Sequence, residues 1–534
     1  MIYLLLVLTF RIASGLETYN ERLDIKTLEK GRVHAKFTFL TSKDIIDNDF
    51  ILFPRVLDQL VEKYNVHRFV LTMQQGRWRR EWNEPPQPAS PIGAQLLVYF
   101  KTKNATEAEK NFSSLVEAAN GLFCTSLSSL TVTAVSPELP VLEKKSFELT
   151  TRYGIVSKET TCTENLSQLR KLLPCKSSGL SVFLHPSKLY DSLFHSLSVS
   201  INSSCEEIKC RRSIEFELSV VFKTPADGWL LSRLFDSQFS EKCSVAESSK
   251  VTVSHDPISD KVKPSGKELE KGVYEYDFSV WTKGADLEVE TPSFKNSSIV
   301  QSAGIRIWST LGGLSQHSGE LRISVKNLGK AGNNVVISQI VPYFVRVHYN
   351  SLMVKCRSAS SRVREKVFKA SKAPKSSLLI QYNLEIDETD TCILHIPLEK
   401  SLLRINDYTP DANHGMYIPG AIATFLQIKN DLNGGYAVHS NAVLVALPVP
   451  DFSMPFNVIC FVATTLAVCF SPIHTFSTLW ISPDIPKSVM VKKIYRGCLL
   501  MLLALSLYAH FNNSNLHDLR RFISAYLQKL NELK

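Results

Sequence analysis

Several stretches of the chain alternate apolar and polar residues with a period of two. Between Ser213 and Val220 an aliphatic or aromatic residue occupies every second position, and residues 274–280 and 345–349 repeat the pattern. This period places one set of side chains on each face of a strand, so each stretch predicts a half-buried antiparallel strand. With Gly, Asn and Ser clusters between them, these strands predict a mainly β protein with β-sandwich-like domains.

Two helices are predicted in the first quarter of the chain. Apolar residues recur at helical spacing through residues 57–64, directly after Pro54. The second helix has a capping box at Thr106–Glu109, an apolar stripe through residues 112–119 and Gly121 at its predicted end. A capping box satisfies the free N–H groups at a helix start, and Gly is favoured just after a helix end. Two helices among strands predict an α+β first domain.

The most apolar segments lie at the two ends of the chain. Residues 1–15 combine an apolar run with small residues before position 16, which predicts a cleaved signal peptide. Residues 456–476 carry no charge and would extend about 31 Å as a helix, enough to cross a bilayer. Lys and Arg residues follow this span, which predicts a lumenal or extracellular N-terminal part. A second apolar stretch, 494–511, is compatible with a span, an interfacial helix or a buried tail.

A chain of 534 residues is too long for one hydrophobic core, so two or three domains are predicted, and two lumenal ones are assigned. The first covers residues 16–250 and is α+β with β-sandwich character, and the second, a β-sandwich, covers 270–450. A polar segment at 247–270 marks the predicted boundary. Residues 357–377, rich in Ser, Lys and Arg, predict a solvated loop, and residues 477–534 form a tail after the span.

Composition narrows the class of protein. The chain is 44% hydrophobic and 21% charged, which excludes disorder as its main state, and its net charge of +10 includes no dense basic block typical of nucleic-acid binding. Eight cysteines precede the span and are disulfide candidates in an oxidising lumen: Cys124, Cys162, Cys175, Cys205, Cys210, Cys243, Cys356 and Cys392. Five N-glycosylation sequons accompany them, at Asn104, Asn111, Asn165, Asn202 and Asn296.

No motif for catalysis or cofactor binding occurs in the sequence. The hydrolase pattern G-x-S-x-G is approached only at residues 313–317, which lack the second Gly. No His is followed by Glu, and no C-x-x-C or phosphate-binding Gly-rich loop is present. We therefore expect no catalytic residue, no cofactor and no metal, although a carboxylate pair for glycoside hydrolysis stays open. Receptor, adhesion protein and subunit of a membrane complex all fit these residues.

Several longer stretches resemble the PIG-T subunit family of the glycosylphosphatidylinositol (GPI) transamidase. They are, from the membrane span backwards, LPVPDFSMPFNVIC at 447–460, YTPDANHGMY at 408–417, CTENLSQLRKLLPC at 162–175, GLFCTSL at 121–127 and QGRWRREW at 75–82. Together they cover the chain from about residue 30 to residue 476. The resemblance weakens after 476, because family members commonly end in a basic cytoplasmic tail whereas residues 494–511 are apolar here.

The resemblance implies a non-catalytic scaffold in the endoplasmic reticulum membrane, with the bulk of the chain lumenal. In that family's complex a separate caspase-like subunit cuts the client protein, and the GPI ethanolamine amine attacks the resulting thioester. A PIG-T-like chain stabilises the catalytic subunit and helps position the GPI head group. The partners implied are the GPI lipid and PIG-K-like, GPAA-like, PIG-S-like and PIG-U-like subunits.

The resemblance also implies site residues. Cys162 would form an inter-subunit disulfide with the PIG-K-like subunit, which leaves seven lumenal cysteines and therefore one without an internal partner. An internal Cys162–Cys175 bridge is the alternative, and Cys356 and Cys392, outside the matched stretches, are expected to pair in the second sandwich. The GPI contacts would be made by Asn413, Asp451, Ser453 and Asn457. Capping of the membrane helix by Asp451 or Ser453 is an alternative compatible with binding.

Two further questions stay open. Trp78 and Trp82, beside three arginines, suit either an interface hot spot or a packed Trp pair in the first domain. The function itself has two alternatives of another class: a single-pass cell-surface receptor or adhesion ectodomain, and a lumenal enzyme with an unrecognised carboxylate site.

Overall fold

A computed structural model describes most of the chain. The described residues are 17–28, 31–44, 50–79, 82, 85–86, 89–137, 149–206, 209–224, 228–254, 261–264, 266–270, 272–290, 304–313, 315, 317–329, 332–370, 375–409, 411–425, 436–449, 453–478 and 487–511. The predicted signal peptide, Asn296 and Asp451 lie outside them. The chain divides into two compact units, 1–449 and 450–534.

A ten-stranded sheet forms the first part of the larger unit. Its strands are β1 (Glu17–Leu28), β2 (Arg32–Asp44), β3 (Val66–Gln75), β4 (Gly93–Phe100), β5 (Thr150–Val156), β6 (Phe194–Glu206), β7 (Lys209–Lys223), β9 (Ser248–Ser254), β11 (Lys267–Glu270) and β12 (Val273–Asp277). They are ordered β11-β12-β9-β1-β2-β7-β6-β3-β4-β5, and only β1 and β9 run parallel. A small sheet joins β10 (Lys261–Lys263), β13 (Glu288–Glu290) and β8 (Trp229–Leu230). The alternation predicted from residue 213 is confirmed in β7, whose Ile214, Phe216 and Leu218 are buried.

Helices pack against this sheet and give the predicted α+β architecture. They are α1 (Arg55–Lys63), α2 (Ala105–Phe123), α3 (Leu130–Thr133), α4 (Thr163–Leu172), α5 (Pro186–Tyr190) and α6 (Leu231–Phe235). The predicted capping box at Thr106 is wrong, because Asn104 is the cap and its Oδ1 accepts from Thr106 N at 3.0 Å. The helix also runs past Gly121, because Phe123 is buried in the core.

The polar segment predicted as a linker, 247–270, contains strands of the first part. Residues 248–254 form β9, which pairs with β1 on one side and β12 on the other, so the first part extends to β13. The segment is polar because one face of the strand makes buried polar contacts: Ser249 Oγ donates to the buried Glu21 carboxylate at 3.0 Å. The strand predicted through Val280 ends at Asp277, and Val280 is exposed in a 3-10 turn.

The second part of the larger unit is a two-sheet sandwich, which completes the predicted mainly β fold. One sheet joins β14 (Ile305–Gly312), β15 (Ser318–Asn327), β21 (Thr391–Lys400) and β17 (Val345–Val347), with β18 (Met353–Cys356) also pairing with β21. The other joins β19 (Arg362–Ala370), β20 (Leu378–Ile386), β16 (Asn333–Val341), β23 (Ile422–Phe425) and β24 (Tyr436–His439). A ribbon pairs β22 (Met416–Ile418) with β25 (Val443–Val445). One apolar core contains residues of both sheets.

The predicted solvated loop at 357–377 contains β19, so that interpretation is wrong for residues 362–370. The strand lies at the edge of its sheet and pairs only with β20, and most of its side chains are exposed. Charged residues are common on edge strands because they discourage pairing with other chains. Residues 362–370 therefore lack an apolar stripe because their strand lies at the edge of the sheet.

The two parts pack against each other within the larger unit. Tyr153 and Ile155 of the first sheet share an apolar cluster with Ile340 and Leu379 of the sandwich. The Arg77 guanidinium lies 4.0 Å from the ring centroid of Trp308. Contacts of this kind join the two predicted domains into one unit.

The Trp pair has a packing role. Trp82 is 1% exposed, and Trp78 packs edge-on against both Trp82 and Phe194. A side chain this buried is not available to a partner protein. Trp82 is therefore a packed residue of the first domain and not an interface hot spot.

Disulfides tie distant segments together. Cys175 pairs with Cys243, which makes the alternative Cys162–Cys175 bridge wrong, and Cys356 pairs with Cys392 as expected. Cys210 is also disulfide-bonded. Among the described cysteines before the span, Cys124 and Cys162 keep free thiols.

The described residues of the smaller unit form two helices, α7 (Ser453–Thr478) and α8 (Lys487–Phe511). Among the described residues, one helical segment, Phe456–Thr475, is long and apolar enough to cross a membrane, which agrees with the predicted span. Helix α7 begins at Ser453, so Pro455 lies in its first turn, where the missing N–H of proline is tolerated. Five 3-10 turns complete the described chain: Gly179–Phe183, Phe278–Val280, Tyr349–Ser351, Ile405–Asp407 and Ala412–His414.

Candidate functional site

Cys162 stands directly before helix α4 and is held there from two sides. The Asn165 Oδ1 atom accepts from Cys162 N at 2.7 Å and from the thiol at 3.1 Å. On the other side, Tyr190 OH donates to Cys162 O at 2.5 Å. These bonds fix the backbone on both sides of the Cα atom, so the direction of the thiol is set by the fold. The thiol itself remains partly exposed.

Asn165 joins this helix start to the end of α2. Its side chain is buried, and Nδ2 donates to Phe123 O at 2.7 Å and to Cys124 O at 3.0 Å. All the hydrogen-bonding capacity of the amide is therefore directed inward. A glycan at Asn165 would be attached to this same Nδ2 atom, so these hydrogen bonds weigh against glycosylation of Asn165. Its glycosylation stays a prediction.

A second layer of polar contacts lies beneath Cys162. His195 Nε2 lies 2.5 Å from Thr161 Oγ1, and Thr161 in turn donates to Gln75 Oε1 at 3.1 Å. The Tyr190 ring packs edge-on against His195, with ring centroids 4.8 Å apart. Burial lowers the pKa of His195 to about 4, so the imidazole is neutral at physiological pH. Thr161 and His195 are both buried, which suits support of the Cys162 peptide better than attack on a substrate.

Electrostatics do not activate the Cys162 thiol. Burial and then the neighbouring Glu164 raise the pKa of Cys162, and these effects outweigh the opposing backbone hydrogen bonds at the helix start. A catalytic cysteine needs the opposite shift, because the thiolate is the nucleophile. The site therefore suits formation of a lasting disulfide better than turnover.

Cys124 is the second free thiol, and it lies close to the first. It follows the end of α2 in a left-handed conformation with φ 53° and is exposed. Gln168, one helical turn after Asn165 on α4, approaches Cys124 Sγ with its Nε2 at 3.6 Å. If Cys162 bonds to another subunit, one lumenal cysteine has no internal partner, and Cys124 fits that position among the described residues.

Two clusters of possible metal ligands occur in the described chain. One is Glu21 with Cys175 and Cys243, and the other is Asp390 with Cys356 and Cys392. In each cluster both cysteines are in a disulfide, so they have no thiolate to offer a metal ion. The Glu21 carboxylate is moreover satisfied by Tyr19, Ser249 and the Leu180 N–H.

A second candidate site surrounds Asn413, in the stretch between β21 and β22. Asp411 caps the short turn by accepting from Asn413 N at 3.2 Å, and the Asn413 side chain is exposed, with no hydrogen bond of its own among the described residues. Gly415 follows at φ 82°, where a Cβ atom would collide with Val445 O. The backbone on both sides of Asn413 is therefore fixed while its amide stays available.

The remaining predicted GPI contacts belong to the smaller unit. Ser453 and Asn457 are four residues apart in α7 and so lie on one helix face, as predicted for a helix that starts this early. Asn457 is exposed. Asp451 lies outside the described residues, so its roles in capping or binding stay predictions.

The described sequons differ in accessibility. Asn104 is exposed, and its Oδ1 caps α2 while Nδ2 is left for a glycan. Asn111 and Asn202 are half-buried, and Asn111 Nδ2 donates to Tyr64 O at 3.3 Å. Sequence alone does not distinguish these positions, because the sequon specifies residue types and not burial.

Sequence reasoning missed Asn165 and Tyr190 as supports of Cys162. A signal for Asn165 was present: a polar residue three positions after a cap residue is the spacing of a capping box. Tyr190 gave no such signal, because it lies 28 residues from Cys162 and reaches it only in the folded chain.

Together these features define a class of protein: a disulfide-bonded, β-rich unit that presents a rigidly held thiol and is followed by a candidate membrane span. Residues 2–227 and 206–481 match the family described as Gpi16 subunit, GPI transamidase component. The chain belongs to this family.

Curated relatives agree with the family assignment. The mouse GPI-anchor transamidase component PIGT is 28% identical over 533 residues, covering 88% of this chain and 91% of the mouse protein. The human protein of the same name is 27% identical, with 86% and 90% covered. The GPI transamidase component GPI16 of Saccharomyces cerevisiae is 23% identical, with 85% and 87% covered.

Proposed function

We propose that this chain is a non-catalytic scaffold subunit of GPI transamidase in the endoplasmic reticulum membrane, needed for attachment of GPI anchors to protein C-termini. Its lumenal part stabilises a PIG-K-like catalytic subunit and works beside GPAA-like, PIG-S-like and PIG-U-like subunits. Family membership and coverage along nearly the whole chain support this role. The raised pKa of Cys162 supports the non-catalytic assignment, because it disfavours the thiolate.

The observation that carries the proposal is the fixed, partly exposed thiol of Cys162. In an oxidising lumen it forms a disulfide with the catalytic subunit. The hydrogen bonds from Asn165 and Tyr190 hold the cysteine in one orientation before assembly, so little conformational entropy is lost when the bond forms. Loss of this bond should weaken the complex without abolishing it, because a large noncovalent interface would persist.

The second proposed role is placement of the GPI head group by Asn413, Asp451, Ser453 and Asn457. Amide side chains can donate to phosphate and accept from glycan hydroxyls, and a carboxylate can accept from the ethanolamine ammonium. The exposed Asn413 amide and the shared helix face of Ser453 and Asn457 support this assignment. Each lost charge-assisted contact should weaken GPI binding about 10- to 150-fold, corresponding to about 1.5–3 kcal/mol.

The test is GPI attachment in cells that lack their own copy of this subunit. Asn413→Ala and Asp451→Ala should assemble normally but lower attachment when GPI is limiting. Cys162→Ser should instead lower the yield of co-purified catalytic subunit, with Cys124→Ser as the matched thiol control. Normal attachment at limiting GPI by both head-group variants would overturn the lipid assignment and leave the scaffold role standing.

A further inference from the structure

The segment between β21 and the Asn413 turn displays two exposed aliphatic side chains. Leu402 is 78% exposed and Ile405 is 58% exposed. Leu403, between them, points the other way and packs against the sandwich core. Two aliphatic side chains directed outward on either side of an anchored residue suit contact with an apolar phase rather than water.

This segment is held in place along its length. Ser401 N donates to Phe344 O at 2.9 Å, and the Asp407 carboxylate pairs with Lys375 Nζ at 2.5 Å. Tyr408 OH donates to Pro448 O at 2.5 Å. The exposure of Leu402 and Ile405 is therefore a feature of a fixed conformation, and holding them outward costs no further ordering on contact.

The hydrogen bond of Tyr408 ties the segment to the end of the ectodomain. Pro448 is followed by Val449, which is 37% exposed, and the candidate membrane span starts eight residues after Pro448, at Phe456. Eight residues reach at most about 29 Å even when fully extended. The segment thus lies within chain reach of the membrane surface.

The charge of the segment suits a lipid surface. Arg404 is exposed between the two aliphatic side chains. A cation flanked by aliphatic residues can meet lipid phosphates while its neighbours enter the acyl boundary, as interfacial segments do. A protein groove would need a complementary partner surface, whereas the bilayer is supplied by this chain's own span.

We propose that residues 402–405 form a membrane-docking loop, with Leu402 and Ile405 inserted at the head-group boundary of the bilayer that the same chain crosses. The loop would fix the height of the neighbouring Asn413 turn above the membrane. This contact requires the membrane span but no other subunit, so it is independent of the proposed assembly function.

Site-specific photo-crosslinking tests the loop. The photoreactive residue benzoylphenylalanine replaces Leu402 in the full chain, which is reconstituted in phosphatidylcholine nanodiscs and irradiated. The matched control carries it in place of Val280, an exposed residue of the first part at 77% exposure. Mass spectrometry of the labelled peptides then counts lipid adducts.

Docking predicts lipid adducts at position 402 at least fivefold above those at position 280, and the same result when Ile405 is the replaced residue. Equal yields at positions 402 and 280 would overturn the proposal. So would crosslinks from position 402 to another subunit, in place of lipid, when the assembled complex is irradiated in native membranes. Because both positions are exposed, folding of the variants is checked by their retained disulfides on a non-reducing peptide map.

Discussion

The Cys162 helix start and the Asn413 turn hold their candidate functional side chains in opposite ways. At Cys162, the buried Asn165 of α4 and the half-buried Tyr190 of α5 bond both sides of the residue, which is itself partly exposed. At Asn413 the backbone is fixed by Asp411 and Gly415, while the side chain is exposed.

The difference matches the two proposed ligands. A disulfide forms only within narrow distances and angles, so the cysteine must be oriented in advance. A lipid head group is mobile and polar, and an exposed amide can adjust to it at little cost. The first site should therefore be sensitive to loss of buried hydrogen bonds, and the second to changes in backbone shape.

The largest expected effect is at the buried amide beneath Cys162. Asn165→Ala leaves the carbonyls of Phe123 and Cys124 without their donor and should lower local stability by about 3 kcal/mol. Hydrogen–deuterium exchange of residues 163–172 measures the loss. Asn104→Ala, at an exposed cap, is the control and should cost about 1 kcal/mol in α2. Equal, small changes in both helices would show that Asn165 does not hold the site.

At the second site the sensitive residue is a glycine. Gly415→Ala forces a Cβ atom toward Val445 O in a backbone conformation that other residues rarely adopt, so the β22–β25 ribbon should lose about 2 kcal/mol. Gly284→Ala has the same sign of φ but open space around the new Cβ, which isolates the collision. Denaturant unfolding compares the two variants. Greater loss in Gly284→Ala would contradict the steric account.

Acid should loosen the Cys162 site. The pKa of His195 falls from an ordinary 6.5 to about 4 on folding, so the unfolded chain binds the proton first and stability is lost as the pH falls from 6.5 toward 4. At pH 5 the loss is about 2 kcal/mol, and it levels off below the folded-state pKa. Amide hydrogen–deuterium exchange of residues 161–172 at pH 7.5 and at pH 5 measures this loss of stability. The rates are corrected for the pH dependence of exchange in an unfolded chain. The acid sensitivity should shrink in His195→Gln, and an unchanged pH dependence in that variant would assign the effect elsewhere.

How far the sequence predicted these sites depends on the range of the interactions. The alternation in β7 and the apolar run at 456–476 could be predicted because each is a local pattern, the first of period two and the second unbroken. The polar composition of Ser248–Ser254 predicts a linker, but the segment forms a strand because β1 and β12 pair with it on either side. Its Ser249 is polar because it donates a hydrogen bond to the buried Glu21.

The site residues show the same limit. Cys175 pairs with Cys243 across 68 residues, a choice that no local spacing indicates. The sequence marks Asn165 as a glycosylation sequon. Only the fold shows that its Nδ2 atom already donates hydrogen bonds to two backbone carbonyls. Family resemblance supplied Cys162 and Asn413, but not the contacts that support them.

The smallest expected effect comes from a matched pair of tyrosines. Tyr190→Phe removes the bond to Cys162 O, and Tyr408→Phe removes the bond to Pro448 O; both bonds are 2.5 Å long and half-buried. Each loss should cost about 1 kcal/mol. Tyr190→Phe should lower only the yield of inter-subunit disulfide, whereas Tyr408→Phe should lower only GPI attachment at limiting lipid. A non-reducing gel and an attachment assay on both variants separate the two regions, and identical defects would mean that they are not independent.

In the proposed complex Cys162, and not its neighbour Cys124, links this chain covalently to a second subunit. The most direct measurement is peptide mapping of the affinity-purified complex after free thiols are blocked and without reduction. We expect the peptide containing Cys162 to be recovered joined to a cysteine peptide of another chain, while Cys124 carries the blocking group. Recovery of Cys162 with the blocking group, or joined to Cys124, would contradict it.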